Sequence, residues 1–269
     1  MSVLTDRQRR EFKELGFLVL DDVLEEATIE ESLSRVKTVM SDGLTDDDVQ
    51  QQSSTHGQIG NRIEDKSPLR KLVREVRPAI EDLTGVGTLA APDDPPIHEC
   101  HHDDWLDVFM KYPDEDPEWD SPSAHIDAYT WYNEDPDEEG FEYHPFTVGI
   151  TIYLDRVQPR GGGFTVWPGS HHLAEKHFQE NPIEDKDTRI MERCNLNEMN
   201  IGDPFEIAGD PGTTVIWHSL LGHSVGPNKS DYPRIAAIGR QSREDIDEIG
   251  WEATRDLWIQ FDELRDISL

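Results

Sequence analysis

The most informative short string in the sequence is His125-Ile126-Asp127, which places an imidazole and a carboxylate two residues apart. On a β-strand, residues i and i+2 project from the same face, so both side chains can reach one metal ion. The triplet alone is a weak signal, because a chain with 11 His and 57 acidic residues contains such triplets by chance. The alternative interpretation is a buried histidine beside a solvated aspartate.

A second string supplies a histidine that would complete such a site. Residues 217–228 read W-H-S-L-L-G-H-S-V-G-P-N and lie between two strand-like apolar runs, 213–216 and 234–238. The string contains His218 and His223, which would face opposite ways on a continuous strand. Two imidazoles and one carboxylate form a facial triad, which leaves positions open on ferrous iron for a bidentate oxoacid and O₂. A structural zinc site would instead favour a cysteine-rich ligand set.

The strands that must position these strings follow Gly85, where short apolar runs alternate with Pro, Gly and Asp clusters. This pattern is typical of an all-β barrel or sandwich. The predicted strands are 106–112, 124–132, 146–154, 163–167, 213–218 and 234–241. The acidic, irregular segments 113–122 and 133–143 flank one of these strands, and long loops in such positions are often functional.

The first ninety residues favour helices. Thr5 and Asp6 can cap a short helix that Gly16 ends, and an apolar strand follows at 17–20. Apolar residues keep helical spacing over 27–40 and 68–83, whereas 44–66 is polar and predicts a long loop. Neither an internal repeat nor an interdomain linker is evident, so we predict one domain over residues 1–269.

Over nearly its whole length, the sequence resembles the phytanoyl-CoA dioxygenase family of Fe(II)/2-oxoglutarate-dependent oxygenases. The resemblance begins in the opening segment 4–24 and includes His125-Ile126-Asp127. It continues through Y-L-D at 153–155 and G-G-F-T-V-W-P-G-S-H at 162–171, and it ends on H-S-x-G-P-N-x-S-x-x-P-R at 223–234. The last two strings together are specific, because few other families contain both in this order.

The resemblance implies that His125, Asp127 and His223 are the iron ligands. It selects His223 over His218 because the string S-x-G-P-N follows His223. It implies that Arg234 binds the C5 carboxylate of 2-oxoglutarate, a role that suits the planar fork of a guanidinium group. Lys111 is similar to a basic position near this cosubstrate, and its alternative interpretation is a snorkelling surface lysine.

The fold implied by the resemblance is mainly β, a double-stranded β-helix, which is a jelly roll of the cupin type. A helical N-terminal region, 1–90, would pack on a jelly-roll core formed by 91–269. The implied activity is hydroxylation of an unactivated C–H bond in a small-molecule substrate by O₂, with release of succinate and CO₂. Asp127 supports hydroxylation, since related halogenases have a small residue in place of the carboxylate. The alternatives are a cupin-type isomerase or hydrolase that uses the same triad without O₂, and a non-catalytic binding protein.

Two further groups of residues near these strings are candidates for roles in the site. The segment 98–104 is rich in His and acidic residues, and we interpret it as a solvated or pocket-rim segment rather than a second metal site. Tyr129, Trp131 and Tyr132 follow the ligand pair. They either shape the substrate pocket or are ordinary aromatic residues of a sheet.

Composition excludes several classes of partner. The chain has 25 Lys and Arg against 57 Asp and Glu, a net charge of −32, which disfavours nucleic acids, anionic membranes and a polyanionic CoA substrate. Two cysteines, no apolar run of membrane-spanning length and no apolar stretch near the N-terminus predict a cytoplasmic protein. The acidic residues are spread along a chain that also contains seven Trp and nine Phe, as on the surface of proteins from salt-loving cells.

The halophilic interpretation predicts that stability depends on salt. We expect the free energy of unfolding to rise from dilute buffer to molar salt, because the Debye length falls from roughly 30 Å at 0.01 M to roughly 3 Å at 1 M. The surface carboxylates then repel one another less. Thermal unfolding and refolding over a salt series measure the effect, and full stability in dilute buffer would contradict the interpretation.

Overall fold

In a computed structural model, antiparallel sheets form the centre of the protein and helices cover one side. The structure describes residues 2–43, 56–90, 106–114, 122–127, 130–131, 141–142, 146–183 and 194–268. The helices of these ranges are α1 (Asp6–Leu15), α2 (Glu26–Ser41), α3 (Ser67–Thr84), α4 (Ser170–Glu180) and α5 (Ile246–Ala253), with short 3-10 turns at Gly60–Arg62 and Leu196–Glu198. Among them there is none whose length and apolar character would let it cross a membrane.

The strands pair only in the antiparallel sense within the described ranges. They are β1 (Phe17–Leu20), β2 (His56–Gln58), β3 (Asp107–Lys111), β4 (Thr130–Trp131), β5 (Phe141–Glu142), β6 (Val148–Tyr153), β7 (Phe164–Val166), β8 (Phe205–Glu206), β9 (Thr214–His218), β10 (His223–Val225) and β11 (Arg234–Gln241). The larger sheet has the order β1-β9-β6-β11-β3-β2, the smaller sheet has the order β10-β7-β8, and β4 pairs with β5.

Successive side chains of each strand point to opposite faces of the larger sheet, and each face packs in its own hydrophobic core. On the outer face, Ile150 and Ile216 belong to a core that includes the apolar faces of α2 and α3. On the inner face, Tyr153 and Trp217 belong to a second core with Phe164 of the smaller sheet. This arrangement confirms the predicted mainly β, double-stranded β-helix.

The N-terminal elements begin and end close to their predicted positions. In α1, the Gln8 N–H donates to Thr5 Oγ1 at 3.3 Å and the Thr5 N–H donates to Gln8 Oε1 at 2.9 Å, which closes a capping box. Gly16 ends the helix with φ +84°, in the left-handed region that glycine adopts without strain. The predicted helices at 27–40 and 68–83 correspond to α2 and α3.

Other elements differ from the sequence prediction. The strand predicted at 17–20 is β1, one edge of the larger sheet, but the other edge, β2, lies within the predicted loop 44–66. Instead of one strand over 124–132, the structure has a single bridge at His125 and the short strand β4. Helices α4 and α5 were not predicted from the sequence. The division into 1–90 and 91–269 stays a prediction.

The C-terminal segment docks on α1 and β9 through buried polar contacts. Lys13 Nζ donates to the carbonyl oxygens of Leu264 and Ile267 at 2.8 and 2.7 Å. His218 is 2% exposed; its Nδ1 accepts from the Leu220 N–H at 3.0 Å, and its Nε2 donates to the Leu257 carbonyl at 3.2 Å. Burial lowers the pKa of His218 to about 4. The docked C-terminus therefore requires a neutral His218.

This requirement predicts a loss of stability in acid. As pH falls from about 6.5 to about 4, the unfolded chain takes up a proton that the folded His218 excludes, so the stability contribution present above pH 6.5 is lost over this window. The shift corresponds to on the order of 3 kcal/mol. Denaturant unfolding across this pH range should show a smaller loss in His218→Phe than in the wild type, although the variant is less stable at neutral pH.

The exposed, non-titrating Val86 provides the control. The variant Val86→Ala should lose as much stability in acid as the wild type. Equal losses in His218→Phe and the wild type would contradict the assignment.

Candidate metal centre

The structure brings together the three side chains that the sequence singles out as metal ligands. His125 extends the smaller sheet past β10, where its N–H donates to the His223 carbonyl and the His223 N–H donates to the His125 carbonyl, both at 3.0 Å. Asp127 Oδ1 lies 3.6 Å from His125 Nε2, and Asp127 Oδ2 lies 3.6 Å from His223 Nε2. All three ligand atoms lie within 4.8 Å of one another. Ligand atoms at right angles around one ion lie about 3 Å apart, so small side-chain movements suffice to bind a metal.

The protonation states of the triad suit metal binding. His223 Nδ1 donates to the Leu221 carbonyl at 2.9 Å, which leaves the Nε2 lone pair directed at the centre. Burial, and then the neighbouring His223, lower the pKa of His125 to about 4, although 35% of its side chain is exposed. Burial alone would raise the pKa of Asp127, but Arg240 and His223 outweigh it and hold that pKa well below its usual range. At neutral pH, His125 is therefore neutral and Asp127 charged, the forms that coordinate a cation.

An aromatic wall closes the inner side of the triad. The Trp217 and His223 ring centroids lie 4.4 Å apart, and the Phe164 ring centroid lies 5.3 Å from that of His223. Gly149 makes room for this wall, because any side chain there would overlap the Trp217 indole. Trp217 Nε1 and Thr151 Oγ1 are buried on this face without a hydrogen-bond partner among the described residues. Such groups are rare in proteins, and a bound polar ligand would satisfy them.

Arg234 lies on the same inward face as this wall. It opens β11 and is 2% exposed, with Nε donating to the Gly162 carbonyl at 2.9 Å and Nη1 to the Phe109 carbonyl at 3.3 Å. Within the described ranges, no carboxylate pairs with it. Burial lowers the pKa of Arg234 to about 10, so it remains cationic at neutral pH. A buried cation without an anionic partner is costly, and an anionic ligand would remove that cost.

Lys111 lies opposite Arg234 in the register of β3 and β11. Its Nζ pairs with Asp114 Oδ1 at 2.5 Å, and Asp114 Oδ2 accepts from the Asn228 N–H at 2.7 Å. The Asn228 side chain donates to the carbonyls of Lys111 and Tyr232 at 2.8 and 2.9 Å. This network ties the segment after His223 to the start of β11, and Asn228 in the predicted motif is therefore structural.

Two residues that contact the triad segment were not anticipated from the sequence. Arg240 Nη2 lies 2.6 Å from Asp127 Oδ2. Asn197 accepts from the Ala124 N–H and donates to the Ala124 carbonyl, both at 2.8 Å, directly before His125. Arg240 follows Arg234 on the same strand and the same face, a signal that was available in the sequence. Asn197 carries no such signal, because it comes from the separate 3-10 turn at Leu196–Glu198.

The other candidates fall elsewhere. The segment 98–104, Tyr129 and Tyr132 lie outside the described residues, and of Trp131 only its place in β4 is described. His218, the rival distal ligand, belongs to the packed C-terminal docking site, with both ring nitrogens bonded to backbone groups.

Fold and site together define a double-stranded β-helix with a cluster of two histidines and one carboxylate in its pocket. The family model for phytanoyl-CoA dioxygenase (PhyH) matches residues 12–236, and the chain belongs to this family. A search of curated proteins found no match.

Solved structures support the fold at low sequence identity. The non-heme α-ketoglutarate-dependent carbocyclase SnoK from nogalamycin biosynthesis is 17% identical, with a TM-score of 0.57 over 89% of this chain and 84% of that chain. HygX from Streptomyces hygroscopicus, with nickel, 2-oxoglutarate and hygromycin B bound, is 14% identical, with a TM-score of 0.53 over 90% and 88%. EctD from S. alaskensis, with bound Fe, is 15% identical, with a TM-score of 0.50 over 90% and 77%.

The two hydrogen bonds from Asn197 to the backbone of Ala124 predict that Asn197 affects metal binding, although it is not itself a ligand. We expect Asn197→Ala to weaken binding of Ni(II) by roughly tenfold, because outer partners that orient metal ligands typically contribute at least that much. Competition with a chelator of known affinity measures the change. Asn181→Ala, which removes only a local bond to the His177 carbonyl, is the control and should bind as the wild type does. Unchanged affinity in Asn197→Ala would show that the Asn197 hydrogen bonds do not position His125.

Proposed function

We propose that the protein is an Fe(II)- and 2-oxoglutarate-dependent oxygenase that uses O₂ to hydroxylate an unactivated C–H bond of a small-molecule substrate. The observation that carries the proposal is that the buried Arg234, which has no carboxylate partner among the described residues, lies on the inward face of β11, toward the inner core whose Phe164 and Trp217 rings contact the triad. A metal site alone needs only the triad. A chelating dicarboxylate needs both the triad and a buried cation that binds its far end.

Each ligand of the proposed reaction has residues that fit it. His125, Asp127 and His223 would hold Fe(II), a donor set that suits this metal. Arg234 would bind the C5 carboxylate of 2-oxoglutarate through charge-assisted hydrogen bonds. The Thr151 hydroxyl, buried without a hydrogen-bond partner among the described residues, lies on the same inward face and would offer the cosubstrate a further hydrogen bond. Lys111 lies beside Arg234, and its contribution to cosubstrate binding stays a prediction.

The protein's share of the chemistry is orientation and exclusion of water. When bound, Fe(II) would activate O₂, of which one oxygen atom would oxidise 2-oxoglutarate to succinate and CO₂ and the other would hydroxylate the C–H bond. The bond from His223 to the Leu221 carbonyl fixes the tautomer and the plane of the ring. Trp217 and Phe164 keep water from the inner side of the triad.

The related structures support the cosubstrate and leave the reaction outcome to the individual protein. HygX was crystallised with 2-oxoglutarate, whereas SnoK and SnoN are described as an α-ketoglutarate-dependent carbocyclase and epimerase. We favour hydroxylation because Asp127 keeps the carboxylate whose loss accompanies halogenation in related enzymes. The alternative, a cupin-type isomerase or hydrolase acting without O₂, would use the same triad but would give the buried Arg234 no ligand.

Anaerobic titration of the metal-free protein with Fe(II) and then 2-oxoglutarate, in high salt, tests the proposal. We expect a visible charge-transfer band in the wild type and none in His125→Ala. In Arg234→Gln, the affinity for 2-oxoglutarate should fall by roughly 30-fold or more, because a charge-assisted carboxylate pair is lost.

The control is Arg156→Gln, which removes an arginine whose side chain is 72% exposed and which pairs with Asp210. This variant should give the wild-type band and affinity. Stoichiometric iron binding without the band would contradict the proposal and favour the isomerase or hydrolase.

A further inference from the structure

Arg240 lies at the opposite end of β11 from Arg234. Both face the pocket, because residues alternate along the strand: Ala236 packs in the inner core, whereas Ala237 packs toward the helices. Arg234 is 2% exposed, but the side chain of Arg240 is 35% exposed. A buried guanidinium group and a partly exposed one therefore lie on the same inward face, at opposite ends of β11.

The contacts of Arg240 with described residues include an ion pair and an aromatic ring. Its Nη2 lies 2.6 Å from Asp127 Oδ2, and its Cζ lies 5.2 Å from the centroid of the Phe146 ring. Its neighbour in the register of β6 is Gly149, which adds no side chain between Arg240 and the aromatic wall. The guanidinium group is thus positioned on an aromatic face beside the triad.

Exposure within the triad shows from which side a substrate arrives. The side chains of His125 and Asp127 are 35% and 20% exposed, whereas that of His223 is 6% exposed. The inner side, at His223, is covered by Trp217 and Phe164. Solvent reaches the triad at the edge formed by His125, Asp127 and Arg240, so a substrate reaches the triad beside the guanidinium group.

A bound cation would change the surroundings of Arg240. Asp127 Oδ2, which accepts from Arg240, is also one of the oxygens available to a metal, 3.6 Å from His223 Nε2. A divalent cation at the triad would attract this carboxylate, and so weaken its ion pair with Arg240, and it would repel the nearby guanidinium group. An anionic group placed at Arg240 offsets both effects.

We propose that Arg240 recognises the substrate, and that the substrate is a small organic acid whose carboxylate pairs with it. The planar guanidinium fork matches a carboxylate in bidentate fashion. The Phe146 ring beside Arg240 gives the acid an apolar neighbour at this edge, while Trp217 and Phe164 stay packed behind the triad, with successive ring centroids 5.5 Å apart. This inference rests on the proposed function, because it places the acid beside bound Fe(II) and 2-oxoglutarate.

The test uses the full chain loaded with Fe(II) and 2-oxoglutarate without O₂, and it uses phenylpropionate and its neutral amide, phenylpropionamide, as probes. Binding is followed by the change that each probe causes in the visible band of the chelate, a readout independent of turnover. We expect the wild type to bind the acid about tenfold more tightly than the amide. Arg240→Gln should bind both probes equally, and Arg240→Lys should recover part of the preference.

The results that would contradict this inference can be told apart by the visible band and by the affinities for 2-oxoglutarate and Ni(II). A normal band with no acid-induced change, or with equal binding of acid and amide by the wild type, overturns this inference and leaves the proposed function standing. If Arg240→Gln loses 2-oxoglutarate affinity as far as Arg234→Gln does, the guanidinium group serves the C1 carboxylate of the cosubstrate. If Arg240→Gln instead loses Ni(II) affinity, it is a positioning residue for Asp127. Both of these results also overturn the inference, and absence of the band in the wild type overturns both proposals.

Discussion

Two backbone hydrogen bonds between His125 and His223, each 3.0 Å long, bring together the parts of the chain that form the metal centre. Directly opposed residues of an antiparallel bridge project to the same side, which places the two imidazole rings 4.4 Å apart between centroids. The same bridge also places Asp127 near the two rings, because Asp127 lies two residues after His125 in the chain. The surrounding contacts preserve this bridge: Asn197 holds the chain before His125, and Asn228 holds the chain after His223.

The register of β11 is the second constraint, since this strand is packed on both faces. Its outward residues, Ile235 and Ala237, lie in the core shared with the helices, and its inward residues include Arg234 and Arg240. A slip of one residue would exchange the two sets and move both guanidinium groups into an apolar core. The cost of burying two unpaired cations there is large. The hydrophobic packing of the helices thus also determines that both arginines face inward.

The sequence predicted the features whose partners are near in the chain or repeat along a strand. The alternation of apolar residues predicted the β architecture, and the spacing of His125 and Asp127 predicted a shared face. The contacts Arg240–Asp127 and Asn197–Ala124 join residues 113 and 73 positions apart, so they depend on how the sheets meet. The string at 217–228 made His218 resemble a ligand, but the backbone groups that satisfy its ring nitrogens come from the loop after β9 and from the C-terminal segment. The Leu257 carbonyl lies 39 positions from His218, so no local pattern contains that contact.

Charge acts in opposite directions at long and short range in this protein. The net charge of −32 repels an anion approaching from solution, whereas Arg234 and Arg240 would attract the carboxylates proposed to bind them. Salt does not weaken these two effects equally, because exposed charges are screened within roughly 10 Å at 0.1 M while buried pairs are screened much less. Raising the salt concentration therefore removes most of the repulsion and leaves most of the attraction at the buried Arg234. The acidic surface and the proposed binding of anions at these arginines are compatible for this reason, and more so in concentrated salt than in dilute buffer.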